Sequence, residues 1–177
     1  MESTTSQQGN PIRWVVMGVS GCGKSTIGQA LAAAQAVRFV EGDAYHPPAN
    51  VAKMSAGFAL SDLDRSDWLR ALQTEVLQAQ QNKLGLVLSC SALKRRYRDL
   101  LRAADPALRF AHLNGSRELI AARMQARVGH YMPPSLLESQ LRDLEPLQAD
   151  EAGISLSIES APDALVAAIL ASEGNPR

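Results

Sequence analysis

Gly18-Val19-Ser20-Gly21-Cys22-Gly23-Lys24-Ser25 fits the pattern G-x4-G-K-[ST] and runs on into Thr26. Glycines at this spacing let successive backbone N–H groups curl around phosphate oxygens at a helix N-terminus. Lys24 is placed to reach the outer phosphates, and the Ser25 hydroxyl to bind Mg²⁺. The context suits such a P-loop: the apolar run Trp14–Met17 precedes it, and Ile27, Ala30, Leu31 and Ala34 follow at helical spacing. A phosphate loop alone does not choose between a kinase, a hydrolase and a switch. A guanine-nucleotide switch needs a DxxG ahead of an NKxD. Here Asn82-Lys83-Leu84-Gly85 lacks the final acid, and Asp150-Glu151-Ala152-Gly153 comes after it.

Acids follow the second apolar run, at Glu41 and Asp43, while the third run ends in Ser89-Cys90-Ser91 with no acid. Carboxylates at the ends of parallel strands face the ligand crevice. Glu41 or Asp43 could therefore help to hold Mg²⁺ or accept a proton from an attacking hydroxyl, although Glu-Gly-Asp is also a common surface turn. Arg123 and Arg127 are four apart on one expected helix, so their guanidinium forks share a face beside the hinge-like Gly129-His130 and Pro133-Pro134. Such a pair on a mobile lid could neutralise charge during phosphoryl transfer. Within the basic run Lys94, Arg95, Arg96 and Arg98, most members are expected on a solvated face. Ser91 and Lys94, nearest the strand end, are the candidates for ligand contact. His46 suits either a ligand contact or a capped turn, Asp62 and Asp64 suit a helix N-terminus, and His112 is expected to be structural. No His/Cys/Asp cluster has zinc spacing.

These groups need a scaffold. Strands are expected at Trp14–Met17, Val37–Val40, Leu86–Leu88, Phe110–Leu113 and Ile154–Ile158. Helices are expected from Lys24 to about Ala36, Asn50–Met54, Asp64–Gln81, Leu93–Ala103 and Ser116–Arg127, then after Pro133-Pro134 with a Ser135/Glu138 capping box, and from about Pro162. Strands alternating with helices imply an α/β fold, a parallel sheet with helices on both faces. At 177 residues one domain over 12–177 is expected, behind a disordered tail over 1–11. The 18 basic residues, mostly arginine, balance 18 acidic ones, which argues against nucleic acid or an anionic membrane as partner. The longest apolar run, Ala164–Ala171, is too short to span a bilayer. Cys22 and Cys90 fit reduced thiols, so a cytoplasmic location is expected.

The sequence also resembles a known family. Gly18–Thr26, Glu41-Gly42-Asp43-Ala44-Tyr45-His46-Pro47, Asn50, Lys53-Met54, Gly57 and Asp62-Leu63-Asp64-Arg65 occur in the order seen in gluconokinases. So do Trp68-Leu69, Cys90-Ser91-Ala92-Leu93-Lys94, Tyr97-Arg98-Asp99, Arg123, Arg127-Val128-Gly129-His130 and Leu144-Glu145-Pro146. Ser61, Ala59 and Asp67 depart from the usual family residues and touch only turn details. The resemblance implies a P-loop NTPase fold of the adenylate-kinase type with five parallel strands in the order 2-3-1-4-5, a substrate-binding segment at about 44–65 and a lid at about 124–140. It further implies transfer of the γ-phosphate of ATP to the C6 hydroxyl of D-gluconate, with Mg²⁺, often in a homodimer. In that scheme Gly18–Thr26, Arg123 and Arg127 hold ATP, Ser25 and Glu41 serve the metal, and Asp43 orients or deprotonates the hydroxyl. His46, Arg65, Ser91 and Lys94 contact the sugar acid. Another small-metabolite kinase, such as a shikimate kinase, and a nucleotide-dependent switch are the alternative readings.

Overall fold

A computed structural model describes residues 10–127 and 133–174. Most of the expected tail over 1–11, the Gly129-His130 hinge and the middle of the expected lid lie outside the described residues. Five strands, β1 (Arg13–Met17), β2 (Arg38–Glu41), β3 (Leu86–Ser89), β4 (Arg109–Asn114) and β5 (Gly153–Ser157), form one parallel sheet in the order β2-β3-β1-β4-β5. Between them run α1 (Lys24–Ala34), α2 (Pro48–Ser55), α3 (Asp62–Gln81), α4 (Arg95–Ala104), α5 (Arg117–Ala126), α6 (Leu137–Asp143) and α7 (Pro162–Ser172). The expected order 2-3-1-4-5 and the helices on both faces are thus borne out. No helix among the described residues is long and apolar enough to cross a membrane.

Both faces of the sheet are covered, so β1 and β3 carry unbroken apolar runs, Trp14–Met17 and Leu86–Leu88, instead of alternating with polar residues. In β1, Trp14 and Val16 join α1, α5 and α7 on one face, while Val15 and Met17 join α3 and α4 on the other. β1 lies between β3 and β4, so successive connections leave it in opposite directions and open a crevice at the carboxyl ends of β1 and β3. Gly18 N–H donates to the Ser91 carbonyl across that opening (3.3 Å).

Several boundaries differ from expectation for physical reasons. Glu41 is the last residue of β2 and not part of the turn beyond it, so its side chain has a fixed face. The Ser135/Glu138 capping box does not form. Leu136 packs on Met54 and Leu60 while Leu137 enters the main core, and this split takes the chain through a 3₁₀ turn before α6. Glu138 instead pairs with Arg117. Arg98 is not on a solvated face. It is fully buried, bonded through Nε and Nη2 to the buried Glu151 at 2.7 and 2.8 Å and through Nη1 to the carbonyls of Ala92 and Leu93. Burial disfavours an ionised Glu151, but hydrogen bonds from Arg98, the Gln148 N–H and Arg102 outweigh it and hold its carboxyl down at about 2. The pair fastens the loop after β3 to the approach of β5.

Candidate active site

The glycine loop closes tightly on the start of α1. Gly23 caps that helix at φ +95°, a left-handed backbone that an L side chain would strain, and so lets the loop N–H groups converge. Lys24 Nζ donates to the Val19 carbonyl at 3.0 Å, holding the ammonium at the loop mouth. Ser20, Gly21, Gly23, Lys24 and Ser25 line the cleft. Gly18, Val19 and Cys22 form the buried wall behind it, and Thr26 is exposed on α1.

Strand register explains the first carboxylate. Glu41 is the lateral neighbour of Ser89, and both lie on the face covered by α1. Accordingly Ser25 Oγ and Ser89 Oγ each donate to Glu41, at 2.5 Å, one to each oxygen. This all-oxygen set is hard donor chemistry of the kind Mg²⁺ takes, with phosphate oxygens and water completing the shell. No cluster of three or more His, Cys, Asp or Glu suited to a metal occurs among the described residues.

Beyond Glu41 a 3₁₀ turn (Gly42–Tyr45) carries Asp43 into the cleft, with His46 next to it. Gly42 is pressed against β3: a Cβ there would come within 2.0 Å of the Ser89 carbonyl oxygen, so only glycine fits. Trp68 of α3 lines the same wall. Its Nε1 donates to the Gly42 carbonyl at 2.8 Å and its indole stacks on the His46 ring at 4.2 Å and 14°. Burial, aided by the Arg65 charge and opposed by Asp43, brings the His46 pKa down to about 4, so the ring is neutral at physiological pH.

Arg65, buried at the first turns of α3, lines the cleft together with Ser91. Its Nη1 bonds the Tyr97 hydroxyl at 3.0 Å and lies 3.5 Å from Asp143 of α6. Lys94 is not brought to the cleft wall. It bonds Asp62 at 3.2 Å, and Asp62 also takes Arg96 and the Tyr97 hydroxyl. The expected pair on one helical face also differs. α5 ends at Ala126, Arg127 continues in extended backbone and lines the cleft, and Arg123 turns away to the Ile158 carbonyl (3.0 Å). Cys22 and Cys90 are buried free thiols, pushed up by that burial, Cys90 to about 12, so neither is a nucleophile.

Four groups at this site escaped the sequence reading. Trp68 carries the apolar period of α3 and so looks like ordinary core; Ser89 acquires its role only through register with Glu41. Gln140 accepts the Ser20 N–H at 2.7 Å from a helix 120 residues away. Asp62 is legible as a helix N-terminal acid, but not as the partner of Lys94.

The shikimate kinase family model matches residues 20–152. A gluconokinase of Gluconobacter oxydans (strain 621H) is 48% identical over 152 residues, 86% of this chain and 85% of that protein. Among solved structures, a gluconokinase from Sinorhizobium meliloti 1021 aligns with a TM-score of 0.83 at 43% identity, over 93% of each chain. An unliganded sugar kinase from Janibacter sp. HTCC2649 aligns at 0.88 and 44% identity, covering 93% of this chain and 95% of its own. The glycine loop, the acids at the end of β2 and this level of identity across nearly the whole chain have one reading: the chain belongs to the gluconokinase family, within the shikimate-kinase-like P-loop kinases.

Proposed function

We propose that this protein phosphorylates D-gluconate at C6, giving 6-phosphogluconate and ADP. The observation that carries the reading is that Lys24, Asp43 and Arg65 line a single cleft. Open-chain gluconate has a carboxylate at one end and a primary hydroxyl at the other. A guanidinium suits the carboxylate, so an acid seated at Arg65 turns its free hydroxyl toward Asp43 and the phosphate loop. Asp43 accepts the C6 hydroxyl proton as O6 forms its bond to the γ-phosphorus. The bond from that phosphorus to the bridging oxygen breaks, and its electron pair leaves with ADP.

The loop N–H groups and Lys24 hold the transferring charge, and Arg127 meets it from the end of α5. Ser25 and Glu41 would hold Mg²⁺, which would supply neutralisation of phosphate charge. His46 and Ser91 face the polyol between the two ends. The segment 44–65 thus serves as the sugar-acid side, and the described roots of the 124–140 lid carry Arg127 and Leu136. Lys94 belongs to this scheme by holding Asp62 and the mouth of the segment in place, and Arg123 by fixing α5 to the end of β5. A homodimer is the assembly the resemblance implies, and sedimentation at assay concentration tests it. The two buried thiols fit a reducing, cytoplasmic compartment.

The test is a coupled ADP-release assay with gluconate, other aldonates, shikimate and nucleoside monophosphates as acceptors, with the product identified by phosphorus NMR. Gluconate-dependent ADP release with a C6 phosphomonoester is expected. A preference for shikimate, or slow hydrolysis indifferent to every acceptor, contradicts the proposal.

A further inference from the structure

Asp43 stands on the four-residue turn and His46 directly follows it, yet both must be held to well under an ångström to act on one hydroxyl. Trp68 touches this segment at two points, Gly42 and His46. Its Nε1–H holds the Gly42 carbonyl at 2.8 Å, and its ring lies flat on His46 at 4.2 Å. From the other side the Gly42 N–H donates to Ser89 Oγ at 3.3 Å, and the Gly42 Cα abuts the Ser89 carbonyl. The peptide units flanking Gly42 are thereby clamped between β3 and α3. A tryptophan needed only for packing could satisfy its indole N–H anywhere, and would not have to border the cleft or stack on a ligand-facing imidazole.

We infer that Trp68 is a positioning residue for phosphoryl transfer: its indole N–H sets the Gly42–Asp43 turn, and so the base, while its ring face sets His46 and so the grip on the polyol. The inference rests on the gluconate reading above, because it assigns the two contacts to the two halves of one substrate.

The two contacts separate by substitution. Trp68→Phe keeps a ring against His46 but removes the N–H that holds the Gly42 carbonyl to α3. It is expected to lower kcat for gluconate roughly ten- to hundredfold, with the KM values for gluconate and ATP little changed. Trp68→Leu removes both contacts and is expected to add a rise in gluconate KM to the same fall in kcat. Unchanged kcat per folded molecule in Trp68→Phe, with only a lower Tm, would reduce Trp68 to a packing residue and overturn the inference.

A second readout does not depend on those variants folding well. The chain has two tryptophans. The other, Trp14, is buried in the opposite core layer and bonds Glu173, so Trp14→Phe leaves Trp68 as the sole indole emitter. Gluconate is expected to shift Trp68 emission in Trp14→Phe, saturating near the gluconate KM of that variant; emission indifferent to saturating gluconate overturns the inference. If the wild type itself does not phosphorylate gluconate, the functional reading fails. If it does and Trp68→Phe equals it, only the role of Trp68 fails.

Discussion

The two halves of the cleft are built by different means. The phosphate half is one continuous stretch, 18–26, whose working groups are backbone N–H donors fixed by glycines and by the start of α1. The sugar-acid half is assembled from side chains of four separate elements: the turn after β2, α3, the loop after β3, and α6. Cross-links such as Trp68–Gly42, Arg65–Tyr97 and Arg98–Glu151 hold it together. Backbone donors tolerate side-chain change wherever the fold is kept, so in that half Lys24 is the side chain exposed to loss, whereas a site made of cross-linked side chains fails when any one link is cut. α6 joins the halves, since Gln140 meets Ser20 and Asp143 lies beside Arg65.

Asp43→Asn should give the largest effect. It should cost roughly 10²–10⁴ in kcat, the usual worth of a general base, while ATP binding measured by titration stays near wild type. Activity above about a tenth of wild type would remove Asp43 as the base and leave the two halves without a shared catalytic group. Lys24→Ala strikes the other half and should lower turnover at least about a hundredfold, because a charge on the transferring phosphate is lost. Near-normal turnover in the folded variant would refute the loop's role.

Smaller effects sharpen the contrast in construction. Arg98→Met leaves Glu151 buried with only part of its hydrogen bonding, so a loss of about 3–5 kcal/mol is expected. For a chain of this length that is roughly a 10 °C fall in Tm by scanning calorimetry. A fall of only a degree or two would mean that the buried pair does not brace the loop after β3. The smallest effect is a pH dependence. Burial, aided by the Arg98 charge, lowers the His112 pKa to about 4, and His46 is lowered likewise. Between about pH 6.5 and 4 the unfolded chain binds protons that the folded chain refuses, so the stability present above pH 6.5 is lost as pH falls. Tm should therefore decline over that window, and His112→Asn should flatten part of the decline. An unaltered slope would show that His112 is free to titrate in the fold.

Legibility in the sequence follows the same division. The P-loop was readable because its groups are contiguous and its glycines have one steric purpose. The strands were readable because burial on both faces leaves unbroken apolar runs such as Trp14–Met17 and Leu86–Leu88. Asp43 was reachable as an acid following a strand, whereas Arg65 was singled out only through the family resemblance. Long-range partnership was not readable. Nothing local says that Ser89 lies beside Glu41, that Lys94 is taken by Asp62, or that Arg98 in a basic run is the one arginine that dives inward to Glu151. Those pairings are fixed by register and helix packing across 32 to 53 residues of chain.

The central claim, that the side-chain half reads a carboxylate while the backbone half handles phosphate, is tested most directly by kcat/KM for gluconate against glucose, in the wild type and in Arg65→Ala. Both sugars offer a primary C6 hydroxyl, and only gluconate offers an anion at C1. Seating glucose would leave the buried Arg65 only Asp143, 3.5 Å away, in place of a close substrate carboxylate, at a cost of about 2–5 kcal/mol. The wild type should therefore prefer gluconate at least about a hundredfold, with most of that preference lost in Arg65→Ala while the KM for ATP holds. Equal rates on the two sugars in the wild type, or a preference untouched by Arg65→Ala, would contradict the account.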